Sequence, residues 1–416
     1  MTDTESGGRA GRLAALLILG LGCLEVVIMV SPFVGLMYGT AGLEHAQETL
    51  SARPATAWLT GFFLNHALVP ESELLLWQRE IGRYLFAAGV WGFVVSALQL
   101  YGNKLRGRGT TTGLLYRFTR HPQYVCLGVA GWGLVTIWPR FLLLGFWVTM
   151  LYCYAGLARF EERRCTERFG DDYLDWAATR ARFLPGNPFG RIFMATFGRL
   201  RPAALGWISA WSVSVALAFV AAAGLRSHVA ATSSWISLPA REATTAAPAR
   251  PASTVLSCWH RPHAELEAIL DRTLAAPGVT GLLDGLQGDP LHAIVLPTDY
   301  KMRGMYYARE NGRDGRPLAA VARIFLLPNP HLHKRTGFMG TAPPMTADGE
   351  DRIQVVLSRA TKDYASPLPL DEATDAGVRA IPLARVVFDH RSDDPAEVHP
   401  TPPRNAFGAR VVMPIY

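Results

Sequence analysis

Apolar runs of membrane-spanning length alternate with short polar segments over the first half of the chain. Leu13–Met37, Ile81–Tyr101 and Ala203–Leu225 each reach the length of about 20 residues that a helix needs to cross a bilayer core. The longer run Val125–Leu157 is interrupted by Pro139-Arg140, and a proline at such a place ends a helix. We predict that this run forms a tight hairpin of two spans, which gives about five spans in all.

Two details of these apolar segments have more than one interpretation. Thr56–Val69 is shorter than a span and contains Asn65 and His66, so we expect it to be interfacial or re-entrant, with a sixth span as the alternative. Glu25 lies within the first span. Its carboxyl group either contacts a ligand or a basic group of the bundle, or packs between helices in a protonated or hydrogen-bonded form.

The second half of the chain has the pattern of a soluble domain. Residues 226–256 are rich in Ala, Thr, Ser and Pro without a sustained period, which predicts a linker. Helical spacing follows at Pro262–Leu274. Short runs rich in β-branched residues then predict strands at Ala293–Leu296, Val321–Leu327, Ile353–Ser358, Arg385–Phe388 and Ala409–Ile415. The predicted fold is mainly α: a polytopic transmembrane helical bundle at 1–225, followed by a small soluble α+β domain at 257–416.

The distribution of charge orients the predicted bundle. The net charge is +7, and residues 1–256 contain 23 Lys and Arg against 15 Asp and Glu, so the excess lies in the membrane half and no nucleic-acid partner is expected. Basic residues are concentrated in 102–122 and 158–202, whereas 40–78 contains one arginine beside four glutamates. Because basic loops stay on the cytoplasmic side, we expect the N-terminus inside a bacterial inner membrane and residues 257–416 outside.

Histidine and cysteine occur in two places with the spacing of metal ligands. Cys258-x-His260-x-x-His263 and His331-x-His333 have suitable residue types, but a His-x-His pair supplies only two ligands and nothing else in the sequence completes a closed site. We therefore predict no metal site. The outer domain is instead a candidate for binding another protein.

Polar residues gather at both ends of the predicted hairpin. Arg120-His121-Pro122-Gln123-Tyr124 enters it, Glu161-Glu162 leaves it, and Arg182-Phe183-Leu184-Pro185 closes the segment. Since a hairpin returns the chain to its starting side, these residues meet at one bilayer face and form the rim of a pocket. The rim is suited to a zwitterionic cofactor, with Glu binding an ammonium group and His or Arg a carboxylate. The alternative is a structural belt of salt bridges between the glutamates and Arg120, Arg159 or Arg163.

These motifs resemble a known family over about residues 80–190. Arg-His-Pro-x-Tyr, an apolar hairpin, the pair Glu161-Glu162, Phe169-Gly170-x-x-Tyr173 and a terminal Arg-Phe-x-Pro are similar to the isoprenylcysteine carboxyl methyltransferase-like group. That group also covers phospholipid N-methyltransferase-like and methanethiol S-methyltransferase-like membrane enzymes. The resemblance implies a helical enzyme that takes S-adenosylmethionine from the cytoplasmic face, while a lipophilic acceptor (a prenyl-cysteine carboxylate, lipid amine or thiol) enters from the bilayer.

The resemblance also implies roles for particular residues. His121, Tyr124 and Glu162 would contact the cofactor, Glu161 would support it, and Arg120 or Arg182 would face it or the acceptor. No catalytic base is assigned, because a sulfonium methyl group is already activated and its transfer depends mostly on positioning in a dry pocket.

Two cysteines depart from the family's pattern and keep other functions open. Cys126 stands where the family usually has Gly, and Cys165 stands where Leu is expected. We expect the Cys126 thiol to line the cofactor pocket and to narrow it. One alternative function is a non-catalytic membrane subunit or scaffold with an inherited bundle. The other is an NADPH-dependent reductase of the sterol-reductase-like type, against which the paired glutamates argue.

Overall fold

The computed structural model of the chain divides into two units. The described residues are 24–37, 49–50, 52–64, 68, 72–76, 78–106, 111–242, 249–257, 261–283, 286, 288–298, 352–360, 366–374, 380–392 and 394–400. One unit comprises residues 1–62 and 79–222, and the other comprises residues 63–78 and 223–416. Several predicted features lie outside the described residues, namely Val321–Leu327, Ala409–Ile415, Asn65, His66, Cys258, His260, His331 and His333.

The first unit is helical. Its described helices are α1 (Leu24–Met37), α2 (Pro54–Thr60), α3 (Gln78–Leu105), α4 (Pro122–Ile137), α5 (Phe141–Phe169), α6 (Asp171–Ala178), α7 (Pro188–Thr196) and α8 (Ala203–Thr232), which runs on into the second unit. Among the described helices three are long and apolar enough to cross a membrane: α3 from Ile81, α5 and α8. The described part of α1 and helix α4 are apolar but shorter, and their crossing of the membrane remains a prediction.

The predicted hairpin is broken at the predicted place. Helix α4 ends at Ile137 and α5 begins at Phe141, so the break includes Pro139-Arg140. The two helices contact each other through Trp147, whose Nε1 donates to the backbone oxygen of Gly128 at 3.0 Å. The return of the chain therefore brings the start of α4 and the end of α5 to one side of the unit.

Small residues let α3 and α4 approach closely. A Cβ added to Gly89 would lie 2.4 Å from the backbone nitrogen of Ala130, and one added to Gly92 would lie 2.7 Å from Cys126 Sγ. Close contact through small residues is typical of helix packing in membranes. The expectation that Cys126 lines the cofactor pocket is therefore wrong, because its thiol packs on Gly92 of α3.

Two other features predicted from the sequence lie at least partly within this unit. Glu25, placed mid-span by the sequence, forms an ion pair with Lys104 near the end of α3, with 2.5 Å between Oε2 and Nζ. The described part of the run Thr56–Val69 contains the end of the seven-residue helix α2, which is too short to cross a membrane. The backbone N–H of Phe141 donates to the Gly61 oxygen at 3.3 Å and ties the end of α2 to the hairpin turn.

The second unit is built on a β-sheet. The described strands lie in sequence order in one sheet: β1 (Trp235–Leu238), β2 (Ser253–Ser257), β3 (Leu291–Pro297), β4 (Arg352–Ala360), β5 (Ala380–Asp389) and β6 (Glu397–Pro400). Only β2 and β3 pair in parallel among these strands, and the connection between them contains α9 (His263–Ala275) and α10 (Pro277–Leu283). Three predicted strands lie within β3, β4 and β5, and the predicted helix corresponds to α9.

The predicted linker at 226–256 is wrong. This segment contains the last turns of α8, the whole of β1 and most of β2. The prediction failed because all five residues of β2 are buried, including Ser253, Thr254 and Ser257, so neither an alternating pattern nor an apolar run marks the strand. The sheet therefore begins earlier in the chain than composition indicates.

Candidate cofactor-binding site

The structure brings the six residues predicted for the site into one cluster: Arg120, His121, Tyr124, Glu161, Glu162 and Arg182. A short backbone pairing joins the two segments that supply them. Thr119 and Ala181 form an isolated parallel bridge, the Arg120 N–H donates to the Ala181 oxygen at 2.9 Å, and Thr119 Oγ1 donates to the Arg182 oxygen at 2.8 Å. This pairing places Arg182 next to the residues that enter the hairpin.

Glu162 is saturated by cationic partners from this chain. Arg182 Nε lies 3.0 and 3.1 Å from its two carboxylate oxygens, and Arg182 Nη2 lies 2.5 Å from Oε2. Arg120 Nη1 and His121 Nε2 lie 3.0 and 3.2 Å from Oε1. Charge-assisted and bidentate contacts of this kind are strong and fix geometry. Glu162 therefore holds the cluster together and has little capacity left for a ligand.

Glu161 has a more open environment. Its side chain is 40% exposed, and it accepts a hydrogen bond from the Tyr124 hydroxyl at 2.5 Å on Oε1. His121 Nδ1 lies 3.3 Å from Oε2. Among the described residues no arginine forms an ion pair with Glu161. Of the two carboxylates, Glu161 is the one that can bind a further cation.

His121 is held between the two glutamates. It lies at the N-cap of α4 and is buried, with one ring nitrogen facing each carboxylate. Burial by itself lowers the pKa of His121, but its contacts with Glu161 and Glu162 outweigh that effect and raise the pKa above the ordinary 6.5. Both nitrogens can donate only when the imidazole is protonated, so the geometry favours imidazolium.

Aromatic rings form a wall behind the cluster. Tyr124 lies between His121 and Tyr154, with near-parallel rings and centroid separations of 5.6 and 4.8 Å. Phe183 lies 5.9 Å from the His121 ring. Tyr154 was not among the residues predicted for the site, although it precedes Glu161 by two helical turns on α5 and therefore shares its face. The wall fixes the imidazole and the phenol that hold Glu161.

Tyr173 supports the cluster from α6. Burial, followed by the negative charge of Glu162, raises the pKa of Tyr173 to about 12, so its hydroxyl stays protonated at neutral pH and can contact Arg120. On the other side, the Tyr116 hydroxyl donates to Gln123 Oε1 at 3.1 Å, and both residues are buried. These partners hold in place the segment that carries Arg120 and His121.

A cavity of about 500 Å³ adjoins the cluster. It is lined by Arg159, Glu162, Arg163, Thr166, Glu167 and Arg182. Its size is in the range of small-molecule sites, which is about 300–1,000 Å³. Glu162 and Arg182 belong to both the cluster and the cavity wall, whereas His121, Tyr124 and Glu161 do not line the cavity.

Part of the chain is similar to a curated methyltransferase. Methanethiol S-methyltransferase 1 of Bradyrhizobium diazoefficiens is 33% identical over 103 residues, which cover 22% of this chain and 35% of that relative. The match thus spans about a third of the relative's length. No family model and no solved structure matches the chain. Together with the three long apolar helices, the similarity supports integration in a membrane and a distant relationship to methyltransferases.

Proposed function

We propose that this chain is a membrane methyltransferase that uses S-adenosylmethionine as its methyl donor. The observation that carries the proposal is the half-exposed Glu161 carboxylate, which Tyr124 and His121 orient. Its neighbour Glu162 lines a cavity of small-molecule size. The similarity to a methanethiol S-methyltransferase supports the same reaction class. From this similarity we infer that the acceptor is a lipophilic or small molecule, with a thiol, lipid amine or prenyl-cysteine carboxylate as its reactive group.

The residues of the cluster fit a zwitterionic donor. An ammonium group needs an anionic acceptor, and Glu161 offers carboxylate oxygens that no described arginine neutralises. A carboxylate needs N–H donors, and Arg182 lines the cavity while only its Nε and Nη2 are engaged by Glu162. Its remaining Nη1 can donate to a further acceptor. The chain therefore supplies both kinds of contact.

When bound, S-adenosylmethionine supplies an activated methyl group on sulfur. The chain's own part is then to bind, orient and exclude water. Glu161 fixes one end of the donor, His121 and Tyr124 fix Glu161, and the wall of Tyr154 and Phe183 keeps this side of the cluster dry. A carboxylate or thiolate acceptor has no proton to lose, whereas a thiol or a lipid amine must release one on methylation. No residue is assigned as the base that would take this proton.

This proposal reverses the roles that the resemblance implied for the two glutamates. Glu162 was expected to contact the cofactor, but its oxygens are occupied by Arg182, Arg120 and His121. We therefore infer that Glu161 binds the ligand and that Glu162 is a positioning residue for the arginines and the imidazole.

Isothermal calorimetry tests the proposal with the full chain in detergent micelles. S-adenosylhomocysteine should bind and NADPH should not. Glu161→Gln should weaken the binding of S-adenosylhomocysteine by roughly 10- to 150-fold, the equivalent of one charge-assisted contact. Glu167→Gln is the matched control, because Glu167 lies on the same helix and lines the cavity but does not belong to the cluster. Binding of NADPH in place of S-adenosylhomocysteine would favour the reductase alternative.

The second candidate is a non-catalytic membrane subunit. It is favoured by the closure of the Glu162 network by the chain's own residues, which gives the cluster a structural role without any ligand. If neither S-adenosylhomocysteine nor NADPH binds, this candidate replaces the methyltransferase.

We also propose the orientation that the charge pattern predicts, with five spans, the site at the cytoplasmic face of an inner membrane and the sheet unit outside. The sheet unit is then available to bind another protein. Labelling of intact cells with a membrane-impermeant thiol reagent tests this. Ser392→Cys, on an exposed turn of the sheet unit, should react in intact cells, whereas Glu167→Cys should react only after the membrane is opened.

A further inference from the structure

The cavity retains an excess of positive charge after the pairing around Glu162 is taken into account. Arg182 is engaged by Glu162, and Arg120 and His121 contribute to the same carboxylate. The other two arginines of the cavity wall, Arg159 and Arg163, form no ion pair with any residue that the structure describes. Glu167, on the same helix, is the one other acidic residue among the described residues that line the cavity. A cavity with this balance favours an anion.

Arg159 is oriented in advance for such a contact. Its guanidinium lies 3.9 Å from the centroid of Trp207 and 5.7 Å from that of Phe193, which restricts its motion by stacking. Its Nη1 is buried and has no hydrogen-bond partner within the described part of the chain. A buried N–H group without an acceptor is unfavourable, and a ligand oxygen in the cavity would relieve that cost.

The residues around Arg159 indicate that the anion belongs to the bilayer surface. Phe193 belongs to α7, which buries none of its residues and exposes Phe189, Ile192 and Met194 by 71%, 58% and 62%. Trp207 belongs to α8, a candidate membrane span. Exposed apolar residues on a short helix, next to tryptophan and arginine, are typical of the interface between a bilayer and water. Headgroup phosphates lie at that level.

We propose that Arg159 and Arg163 bind the phosphate of an anionic lipid headgroup in this cavity. Guanidinium groups match phosphate oxygens with paired N–H donors, and the stacked Arg159 loses little freedom when it binds. The four-residue spacing of the two arginines places them on one face of α5, so both reach the same group. The proposal does not rest on methyl transfer, because neither Arg159 nor Arg163 is assigned to the methyl donor. Arg182, which is, lines another part of the same cavity.

Native mass spectrometry of the full chain tests the proposal. The probe is a short-chain phosphatidylglycerol, compared with phosphatidylcholine of equal chain length and with soluble glycerol phosphate. Phosphatidylglycerol should bind more tightly than either. Arg159→Gln should weaken its binding by at least about tenfold, the loss of one charge-assisted contact. Arg163→Gln should also weaken the binding. Arg163 is exposed and no aromatic ring stacks on it among the described residues, so its replacement should leave the fold intact.

Arg164→Gln is the matched control. Arg164 is the next residue of α5, carries the same charge and does not line the cavity, so its removal should leave the affinity unchanged. An equal loss in Arg164→Gln and Arg159→Gln would mean general attraction to a basic surface and would overturn the proposal. Equally tight binding of glycerol phosphate would assign the site to a soluble anion and overturn the lipid source. Displacement of the lipid by S-adenosylhomocysteine would assign the cavity to the methyl donor and overturn the proposal as well.

Discussion

Replacing Glu162 by Gln should destabilise the helical unit far more than the same change at its neighbour Glu161. The Glu162 side chain is 11% exposed and has contacts of 2.5 to 3.2 Å with Arg182, Arg120 and His121. Removing one partner of a buried ion pair costs about 3–5 kcal/mol, because the other charges remain buried without compensation. Glu161 is 40% exposed, so the loss of its hydrogen bonds should cost only about 0.5–1.5 kcal/mol.

Thermal unfolding of the full chain in detergent micelles, followed by tryptophan fluorescence, measures this difference. A cost of 1 kcal/mol lowers the midpoint by about 2–4 °C for a unit of 150–250 residues, the size range of the helical unit, so we expect a decrease of about 6–20 °C for Glu162→Gln. The decrease for Glu161→Gln should stay below about 6 °C. Glu167→Gln, exposed on the same helix, is the control. If Glu162→Gln lowered the midpoint no more than Glu161→Gln, the assignment of Glu162 as the central structural carboxylate would be refuted.

Alkaline pH should weaken the same cluster, because the pKa of His121 is raised in the folded protein. The stability that protonated His121 contributes is complete below pH 6.5 and is lost as pH rises through the raised pKa. Unfolding midpoints between pH 6 and 10 measure this, and a flat profile would contradict it. Acid should instead destabilise the sheet, because burial lowers the pKa of His292 to about 4. The loss of folding free energy grows as pH falls from 6.5 to 4 and reaches about 3 kcal/mol. Faster hydrogen exchange in β3 at low pH would report this loss. Gly89→Ala should lower the free energy of unfolding by about 1–3 kcal/mol, because the added methyl group forces α3 and α4 apart. Gly156→Ala is the control, since nothing lies within 4 Å of the added Cβ there. Equal thermal unfolding midpoints for the two variants would contradict the close packing of α3 and α4.

The helical half could be predicted because its signals are local. The break at Pro139 and the apolar runs on either side of it depend only on residues next to one another. The first strands of the sheet could not be predicted in that way. Residue Val255 of β2 is buried between Ile236 and Ala293, and the second of these partners lies 38 residues further along the chain. Burial of a serine- and threonine-rich strand is a property of its neighbours, which composition does not contain.

The site shows the same division between local and tertiary information. A hairpin brings its two ends together, so the meeting of His121 with Glu161 and Glu162 followed from the sequence. The different roles of the two glutamates did not, since adjacent helical residues point about 100° apart and only the surrounding structure decides which one meets the arginines. The position of Cys126 could have been predicted from helix geometry. A residue two positions after Tyr124 is rotated by about 200° around the helix axis, so it lies on the opposite face.

The bridge between Thr119 and Ala181 has a consequence for the order in which the cluster assembles during synthesis. The ribosome delivers Arg120 and His121 first, and Glu162 emerges about 40 residues later, when both of these partners are already present. Arg182 follows Glu162 after another 20 residues and completes the pairing. Two cationic partners are therefore already synthesised when the Glu162 carboxylate emerges, and the bridge between Thr119 and Ala181 forms together with the addition of the third partner, Arg182.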